Sequence, residues 1–364
     1  MKKDNLHYSI RHLDSYNKTW NFVVSERELG KTVVMSTKIY NAWKKKKRPS
    51  IVLRRSNVAI TDVYIQDLQD TINDFLNDKH KIKFEYKRGT IKDGVVDIKV
   101  NGKPFCRIMS LSLPMNRIKS LRYDDPYGIF FDEYIINLRG GERYRPSEAF
   151  TFKEIYNTFN RFATRHGHKL KTWFFGNPYS VYNPYWSWLK VDLSKVKPGA
   201  FIVGDDYIID CPKMKPELRE FILKNNALYE FSDDYTKYAF SGIAVNDQNI
   251  NLQPSQPSGY KLKWIFRLSG KNLGFFHKQT DRERYDMKLE DYGKFWVSIL
   301  DDDNYGSTKK IFAYDFDNLI NNSKLITNDI RSFSFRLKNA IGNRDVSYQS
   351  IEASYLCEIL YSAL

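Results

Sequence analysis

A glycine-lysine-threonine triplet behind a short apolar run constrains the fold of this chain more than any other feature. Residues 22–24 are apolar and predict a buried strand, and residues 33–43 carry apolar side chains at helical spacing. The loop between strand and helix has the form of a phosphate-binding loop, with serine in place of the usual first glycine. It comprises Ser25, Glu26, Arg27, Glu28, Leu29, Gly30, Lys31 and Thr32.

A loop of this kind binds phosphate because backbone N–H groups at the helix start point toward the anion and the helix dipole favours negative charge. Lys31 is expected to neutralise the β- and γ-phosphate oxygens of ATP, and the Thr32 hydroxyl to ligate Mg²⁺. The triplet also arises by chance, so the loop alone leaves open whether a nucleotide binds.

Two adjacent acids at the end of a second apolar run strengthen the prediction. Residues 129–131 are apolar and lead into Asp132 and Glu133. In P-loop ATPases the strand beside the loop ends in an acid that completes the Mg²⁺ shell, which predicts that role for Asp132. Glu133 is then placed to orient and deprotonate the attacking water. A buried strand with two solvated acids is the alternative, but loop and acids together favour ATP hydrolysis with ATP and Mg²⁺ as cofactors.

The charge of the chain indicates a polyanionic partner, since its net charge is +15 and its pI is about 9.4. A lysine-rich genome would raise the lysine content everywhere, but residues 44–55 hold seven basic side chains and no acid. We therefore expect nucleic-acid contacts directly after the P-loop helix. The predicted residues are Lys44, Lys45, Lys46, Lys47 and Arg48.

Composition excludes several other classes of protein. No apolar run approaches the roughly eighteen residues that a membrane span requires, and residues 1–10 lack the apolar segment of a secretory signal. The 3 cysteines are far apart, and neither they nor the 6 histidines have metal-ligand spacing. The sequence therefore predicts a reduced, cytosolic protein without a zinc site.

The order of patterns along the chain predicts an α/β fold with a mostly parallel sheet. Asn101 and Gly102 lie between alternating apolar residues over 95–108, which predicts a β-hairpin inserted at one edge of that sheet. Residues 81–87 alternate in the same way and predict a further strand of this insertion.

A polar residue also follows the buried strand predicted over residues 172–176. This residue, Asn177, is a candidate contact for the γ-phosphate or the attacking water, because it ends a strand expected to lie beside the acid-bearing one. The alternative is that Asn177 opens a turn before Pro178.

The remaining patterns divide the chain into three parts. Residues 247–259 are rich in Asn, Gln, Pro and Ser with little apolar content, which indicates a linker. Strands precede helices in the remainder, which has enough apolar residues for a core of its own. We predict a P-loop ATPase domain over 1–199, a linker subdomain over 200–258 and a smaller α/β domain over 259–364.

With these features placed, the chain resembles the phi-29-like phage DNA-packaging ATPases, a branch of the terminase large subunits. Terminase P-loops commonly read S-x-R-x-x-G-K-T, and the residues that fit this form are Ser25, Arg27, Gly30, Lys31 and Thr32. Asp132 and Glu133 match the metal-binding acid and catalytic glutamate of the family. The resemblance implies an ASCE-type P-loop domain, a short linker domain and a C-terminal domain of ribonuclease-H-like fold.

The resemblance also implies further catalytic residues. Arg161 matches the arginine finger, which acts on the ATP of the neighbouring subunit, although Arg165 lies one helical turn away and is the alternative. Lys119 matches a second basic position that acts across the same interface. Arg27 is implied to contact the γ-phosphate within its own subunit.

The C-terminal domain is expected to lack nuclease activity. The strand over 261–268 contains no acid, although two-metal nucleases hold their ions with carboxylates on adjacent strands. The acids at 301–303 lead into a turn, and Asp315 and Asp317 lack a first-strand partner. Contacts to DNA, or to the packaging RNA that some members use, are instead expected from Lys261, Lys263, Arg267 and Lys271.

The resulting hypothesis is an ATP-driven translocase that packages double-stranded DNA into a preformed procapsid. It is expected to act at the portal as a homo-oligomeric ring, a pentamer, in the host cytoplasm and transiently on the procapsid, without secretion or membrane contact. Three alternatives stay open: a helicase-type P-loop motor, a non-catalytic DNA-binding or scaffold protein with a vestigial loop, and an active nuclease.

Overall fold

The computed structural model describes most of the chain as two compact units. The described residues are 8–74, 81–87, 90–123, 125–137, 144–145, 148–180, 183–192, 195–225, 250–268, 270–279, 293–301, 311–313, 323–325, 331–342 and 345–361. The first unit comprises residues 1–137, 149–181 and 190–245. The second comprises residues 138–148, 182–189 and 246–364.

Strands and helices alternate through most of the first unit, whereas strands dominate the second. The strands are β1 (Trp20–Val24), β2 (Ser50–Arg54), β3 (Val95–Val100), β4 (Lys103–Ser110), β5 (Gly128–Asp132), β6 (Lys171–Gly176), β7 (Phe201–Val203), β8 (Tyr207–Asp210), β9 (Lys261–Leu268), β10 (Lys271–Gln279), β11 (Gly293–Leu300), β12 (Ile311–Ala313), β13 (Ser323–Leu325) and β14 (Val346–Tyr348). The helices are α1 (Arg11–Ser15), α2 (Lys31–Lys46), α3 (Asp62–Asp74), α4 (Met115–Ser120), α5 (Glu148–Arg165), α6 (Pro184–Trp188), α7 (Pro216–Asn225), α8 (Arg331–Gly342) and α9 (Ile351–Tyr361). No helix in these ranges has both the length and the apolar content needed to cross a membrane.

An eight-stranded sheet forms the centre of the first unit, in the order β3-β4-β2-β5-β6-β1-β8-β7. The six strands from β4 to β8 in this order are parallel to their neighbours. Strands β1 and β2 are buried along their whole length, as expected where helices cover both faces of a parallel sheet. The mostly parallel α/β fold predicted from the sequence is therefore confirmed.

The predicted hairpin is also present, at one edge of this sheet. Strands β3 and β4 pair antiparallel, and the turn residues Asn101 and Gly102 both have positive φ, at 50° and 69°. Such a turn matches the twist of the two strands, which explains the Asn-Gly pair. The strand predicted over 81–87 is reduced to one isolated bridge between Glu85 and Lys99.

The structure differs from the sequence prediction in where the first sheet ends. Strand β8 pairs parallel with β1, and β7 pairs antiparallel with β8. The segment predicted as a linker subdomain, 200–258, therefore begins with two strands of the first sheet. Pairing between β1 and β8 joins residues far apart in sequence, and two short strands give no local sign of it. Residues 226–249 of the predicted linker lie outside the described residues.

A six-stranded mixed sheet, in the order β13-β12-β9-β10-β11-β14, forms the second unit. Strands β9, β10 and β11 pair antiparallel, whereas β12 runs parallel to β9 and β14 parallel to β11. Apolar side chains from these strands form a core that includes Ile265, Phe276 and Trp296. This is the second α/β fold that the sequence predicted.

Candidate functional site

The parallel strands bring the predicted site residues to one edge of the first sheet. Lys31 follows β1, Asp132 ends β5, and Asn177 comes directly after β6. Because β1, β6 and β5 are parallel neighbours in that order, their carboxyl ends meet. The sheet therefore places the phosphate-binding loop beside the two acids.

The loop itself is held against the end of β6. The Ser25 N–H donates to the Gly176 carbonyl at 3.2 Å, and the side chains of Ser25 and Glu26 are buried. Gly30 caps the N-terminus of α2 in the left-handed region, with φ of 93°. Only glycine adopts this conformation without strain, so the one glycine of the loop stands where the backbone must turn into the helix.

Lys31 is bound by oxygens of its own loop. Its Nζ donates to the Ser25 hydroxyl at 3.0 Å, the Ser25 carbonyl at 2.9 Å and the Glu26 carbonyl at 2.7 Å. Desolvation lowers the pKa of Lys31 to about 7, and the nearby Asp132 opposes this effect. The serine that replaces the first glycine thus contributes two of the three acceptors for the lysine.

The two acids share one buried arginine, Arg54, which ends β2. Its Nη1 donates to Asp132 Oδ2 at 2.7 Å and its Nη2 to Glu133 Oε2 at 2.8 Å. The Tyr64 hydroxyl donates to the same Asp132 oxygen at 3.3 Å. Burial raises the pKa of Asp132, and the Arg54 charge opposes that rise. The single positive charge of Arg54 therefore lies between the two carboxylates and reduces the repulsion between them.

Glu133 sits in an unusual backbone conformation. Its φ is 57°, in the left-handed region that non-glycine residues seldom occupy. The residue is 62% exposed at its side chain, while Asp132 beside it is largely enclosed. The turn after β5 thus directs one acid into the site and leaves the other open to solvent.

Sequence reasoning did not assign Arg54 to the site. The available signal was its position directly after the apolar run 51–53, because any strand that pairs parallel beside β5 ends at the same edge. Strand β2 does pair parallel with β5, but this neighbour relation is not readable from the sequence.

The other loop residues have structural partners. Arg27 Nη2 donates to the Tyr179 hydroxyl at 2.8 Å, which links the loop to the segment that follows Asn177. Glu26 accepts a hydrogen bond from the Met214 N–H at 3.3 Å, and Leu29 packs against α7. Glu28 is exposed, with φ of 61°. The loop is therefore supported on its outer side by the residues around α7.

The two arginines considered for the neighbour role, Arg161 and Arg165, lie away from the phosphate-binding loop of the same chain. Helix α5 connects the carboxyl end of β5 to the amino end of β6, so its last turns lie toward the opposite edge of the sheet. Arg161 is exposed there, and the Arg165 guanidinium lies 5.6 Å from the Phe162 ring centre. Lys119, at the end of α4, is exposed with its Nζ 3.4 Å from Glu154 Oε2.

The predicted nucleic-acid contacts fall into two environments. The four lysines that end α2 or follow it directly are exposed: Lys44, Lys45, Lys46 and Lys47. Arg48 differs, because it is half-buried, lies 3.0 Å from Asp125 and donates to the Pro126 carbonyl. Its main role in the structure is to join the end of α2 to the residues before β5.

In the second unit, two of the four predicted cations are exposed and two have partners. Lys261 and Lys263 are exposed on β9. Arg267 donates to Asn272 Oδ1 at 3.2 Å, and Lys271 to Glu352 Oε1 at 2.7 Å. Within the described ranges, no three His, Cys, Asp or Glu side chains come together as a metal site would require. The acids at 302, 303, 315 and 317 lie outside those ranges.

Comparison with known proteins identifies relatives over nearly the whole chain. A family model described as podovirus DNA encapsidation protein (Gp16) matches residues 1–353. The DNA packaging protein of Bacillus phage phi29 is 22% identical over 349 residues, which cover 91% of this chain and 89% of that protein.

Two solved structures share the fold. The Phi-28 gp11 DNA packaging motor superposes with a TM-score of 0.66 at 15% identity, over 99% of each chain. The bacteriophage Phi-29 viral genome packaging motor assembly gives a TM-score of 0.61 at 20% identity, over 98% of this chain and 99% of that one. At these identities the likeness is one of fold.

Replacing Arg54 by Ala should destabilise the strand that carries the acids. Asp132 would keep a buried charge without its ion pair, so we expect the free energy of opening of β5 to fall by about 3–5 kcal/mol. Hydrogen exchange of the β5 amides measures this free energy of opening. The double variant Arg54→Ala/Asp132→Asn should lose less than the sum of the two single variants, because both charges are removed together. Additive losses would contradict the coupling.

Proposed function

The chain belongs to the podovirus DNA encapsidation protein family, and we propose that it is an ATP-driven motor that moves double-stranded DNA into a preformed capsid. Family membership confirms the resemblance inferred from the sequence. The observation that carries the proposal is the meeting of Lys31, Asp132 and Glu133 at one edge of a parallel sheet. That is the arrangement a phosphate-transfer ATPase needs.

We propose that the loop holds the phosphates of ATP. The N–H groups at the start of α2 and the left-handed Gly30 form a cradle for an anion. Lys31 would exchange the loop oxygens that it now contacts for the β- and γ-phosphate oxygens. Its enclosed position strengthens this interaction, because few waters compete for the charge. Arg27 and Asn177 would contact the γ-phosphate.

Thr32 and Asp132 fit Mg²⁺, because both offer oxygen ligands and the Asp132 carboxylate is enclosed at the strand end. Bound Mg²⁺ would supply charge neutralisation of the phosphate oxygens. Glu133 would orient the attacking water and accept its proton. The Arg54 contact occupies one oxygen of Glu133, so hydrolysis would require Glu133 to exchange this contact for the water.

We propose that Arg161 and Lys119 act on the ATP of a neighbouring subunit in a homo-oligomeric ring, expected to be a pentamer at the portal. The position of Arg161 near the end of α5, away from the loop of its own subunit, supports its assignment. An arginine finger contributes roughly a thousandfold or more to the rate, so isolated monomers should hydrolyse ATP slowly. The second unit would contact DNA phosphates through Lys261 and Lys263. We propose no nuclease role for it, since β9 contains no acid.

The first test separates nucleotide binding from turnover. Lys31→Ala should abolish binding of a fluorescent ATP analogue, because the loop loses the cation that is expected to neutralise the β- and γ-phosphate oxygens. Glu133→Gln should bind the analogue normally but lose steady-state hydrolysis by at least a hundredfold, as expected of a general base. Equal hydrolysis by Glu133→Gln and wild type would favour a vestigial site and a scaffold role.

The identity of the DNA substrate can be tested with the same assay. Double-stranded DNA should raise the ATPase rate of the wild type more than single-stranded DNA of the same sequence. The effect should weaken with salt, because phosphate contacts release counterions. Preferential stimulation by single strands would favour the helicase-type motor instead.

Subunit mixing tests the neighbour role of Arg161. Arg161→Ala should lose the DNA-stimulated rate, and mixing it with Glu133→Gln subunits should restore part of that rate, because some interfaces then combine an intact Glu133 with an intact Arg161. Arg165→Ala is the matched control, one turn further along α5, and should keep the stimulated rate. If the losses are reversed between the two variants, Arg165 is the finger. If neither Arg161→Ala nor Arg165→Ala changes the DNA-stimulated rate, a neighbour role for this helix is excluded.

A further inference from the structure

A cleft of about 680 Å³ opens at the amino edge of the first sheet, on the opposite side from the phosphate-binding loop. Pro49 and Asp125, which precede β2 and β5, form part of its lining, together with Asn101 at the hairpin turn. Since β5 has five residues, the cleft lies roughly 15 Å or more from the acids at the carboxyl edge. The nucleotide site and the cleft are therefore separate.

The two acids that line the cleft, Asp97 and Asp125, are each already paired with an arginine. Arg107 makes two hydrogen bonds to Asp97, at 2.7 and 2.9 Å. Arg48 Nε lies 3.0 Å from Asp125 Oδ1. Arg107 is buried and Arg48 half-buried, so these pairs belong to the framework. They leave neither acid available to attract a cation.

Four further cations line the cleft, and each is exposed. They are Lys47, Lys99, Lys103 and Arg122. None forms an ion pair with any residue in the ranges that the structure describes. Like charges gathered around one concave surface repel one another unless an anion lies between them. The cleft therefore carries the positive charge that a binding site for a polyanion requires.

The cationic surface continues beyond the cleft. Lys47 lines the cleft and also follows the exposed run Lys44, Lys45 and Lys46 at the end of α2. A small anion would need only the cleft, whereas this run places further exposed positive charges next to Lys47. The surface therefore suits a polymer of regularly spaced phosphates.

An aromatic ring at the same place restricts the kind of polymer. Trp43 lines the cleft and is half-buried, with one side packed against Phe105 at a ring-centre distance of 5.6 Å. Sites for single-stranded nucleic acid combine a cationic groove with an aromatic ring on which a base stacks. A duplex keeps its bases paired inside the helix, and a cleft of this volume admits a nucleotide rather than a duplex.

We propose that this cleft binds unpaired nucleotides of a DNA or RNA strand, with a base against Trp43 and phosphates on Lys99, Lys103 and Arg122. This activity goes beyond the proposed translocation of duplex DNA and uses a different edge of the sheet. A strand held here leaves the phosphate-binding loop accessible, so the two sites bind their ligands independently in a single subunit.

The test measures fluorescence anisotropy of labelled oligonucleotides of one length: single-stranded DNA, single-stranded RNA, duplex DNA and an abasic DNA backbone. Lys99→Ala/Lys103→Ala should weaken binding of the single strands and lower the slope of log affinity against log salt by about 1.4, since each phosphate contact to a single strand contributes about 0.7. If the double variant binds only single-stranded DNA or only single-stranded RNA more weakly than the wild type does, that result would support the site and identify its ligand. The abasic backbone should bind more weakly than the oligonucleotide with bases.

The matched control is Lys197→Ala/Lys224→Ala, which removes two exposed lysines of the same unit that do not line the cleft. It should leave the slope unchanged. Binding of a fluorescent ATP analogue should stay the same in both double variants, which keeps this test independent of the proposed ATPase. Equal loss for duplex DNA, or equal binding of the abasic backbone, would overturn the proposal of an unpaired strand. Loss of DNA-stimulated ATP hydrolysis without any change in oligonucleotide binding would overturn it as well, because the cleft would then serve a neighbouring subunit.

Discussion

Parallel pairing of strands is the constraint on which the rest of the first unit depends. Each connection between parallel strands must return from a carboxyl end to an amino end, so the residues that end the strands gather at one edge. In this chain that edge collects Lys31, Arg54 and Asp132 from three different strands or their connections. Local sequence motifs mark Lys31 and Asp132, but only the sheet brings them together and adds Arg54 to the site.

A buried carboxylate needs a positively charged partner, and Arg54 provides one for Asp132. Asp132 is enclosed at the end of β5, and the guanidinium of Arg54 bridges it to Glu133. A similar paired contact occurs at the other edge, where the buried Arg107 makes two hydrogen bonds to the exposed Asp97. A planar guanidinium suits such paired contacts better than a lysine ammonium. Arg48, Arg54 and Arg107 thus pair with acids of this unit, whereas the lysines at the end of α2 are exposed.

Helix α2 connects the two edges of the sheet. It begins at Lys31 in the phosphate-binding loop and ends at Lys46, beside the cationic cleft. Its 16 residues span roughly 24 Å at the rise of an α-helix. A helix dipole favours anions at its first turn and cations at its last. The phosphate-binding loop and the lysine run therefore occupy the ends that the backbone itself favours.

The sequence alone determined the features whose physical cause is local. The loop with Lys31, the acids after the second apolar run and the Asn-Gly hairpin each require particular residues at adjacent positions, and the structure contains all three. Tertiary structure decided the rest: Arg54 as the partner of both acids, the inclusion of residues 201–210 in the first sheet, and the gathering of Lys47, Lys99, Lys103 and Arg122 around one cleft. These depend on which strands lie side by side. Contacts between distant segments leave no periodic trace in either segment, so no local pattern could reveal them.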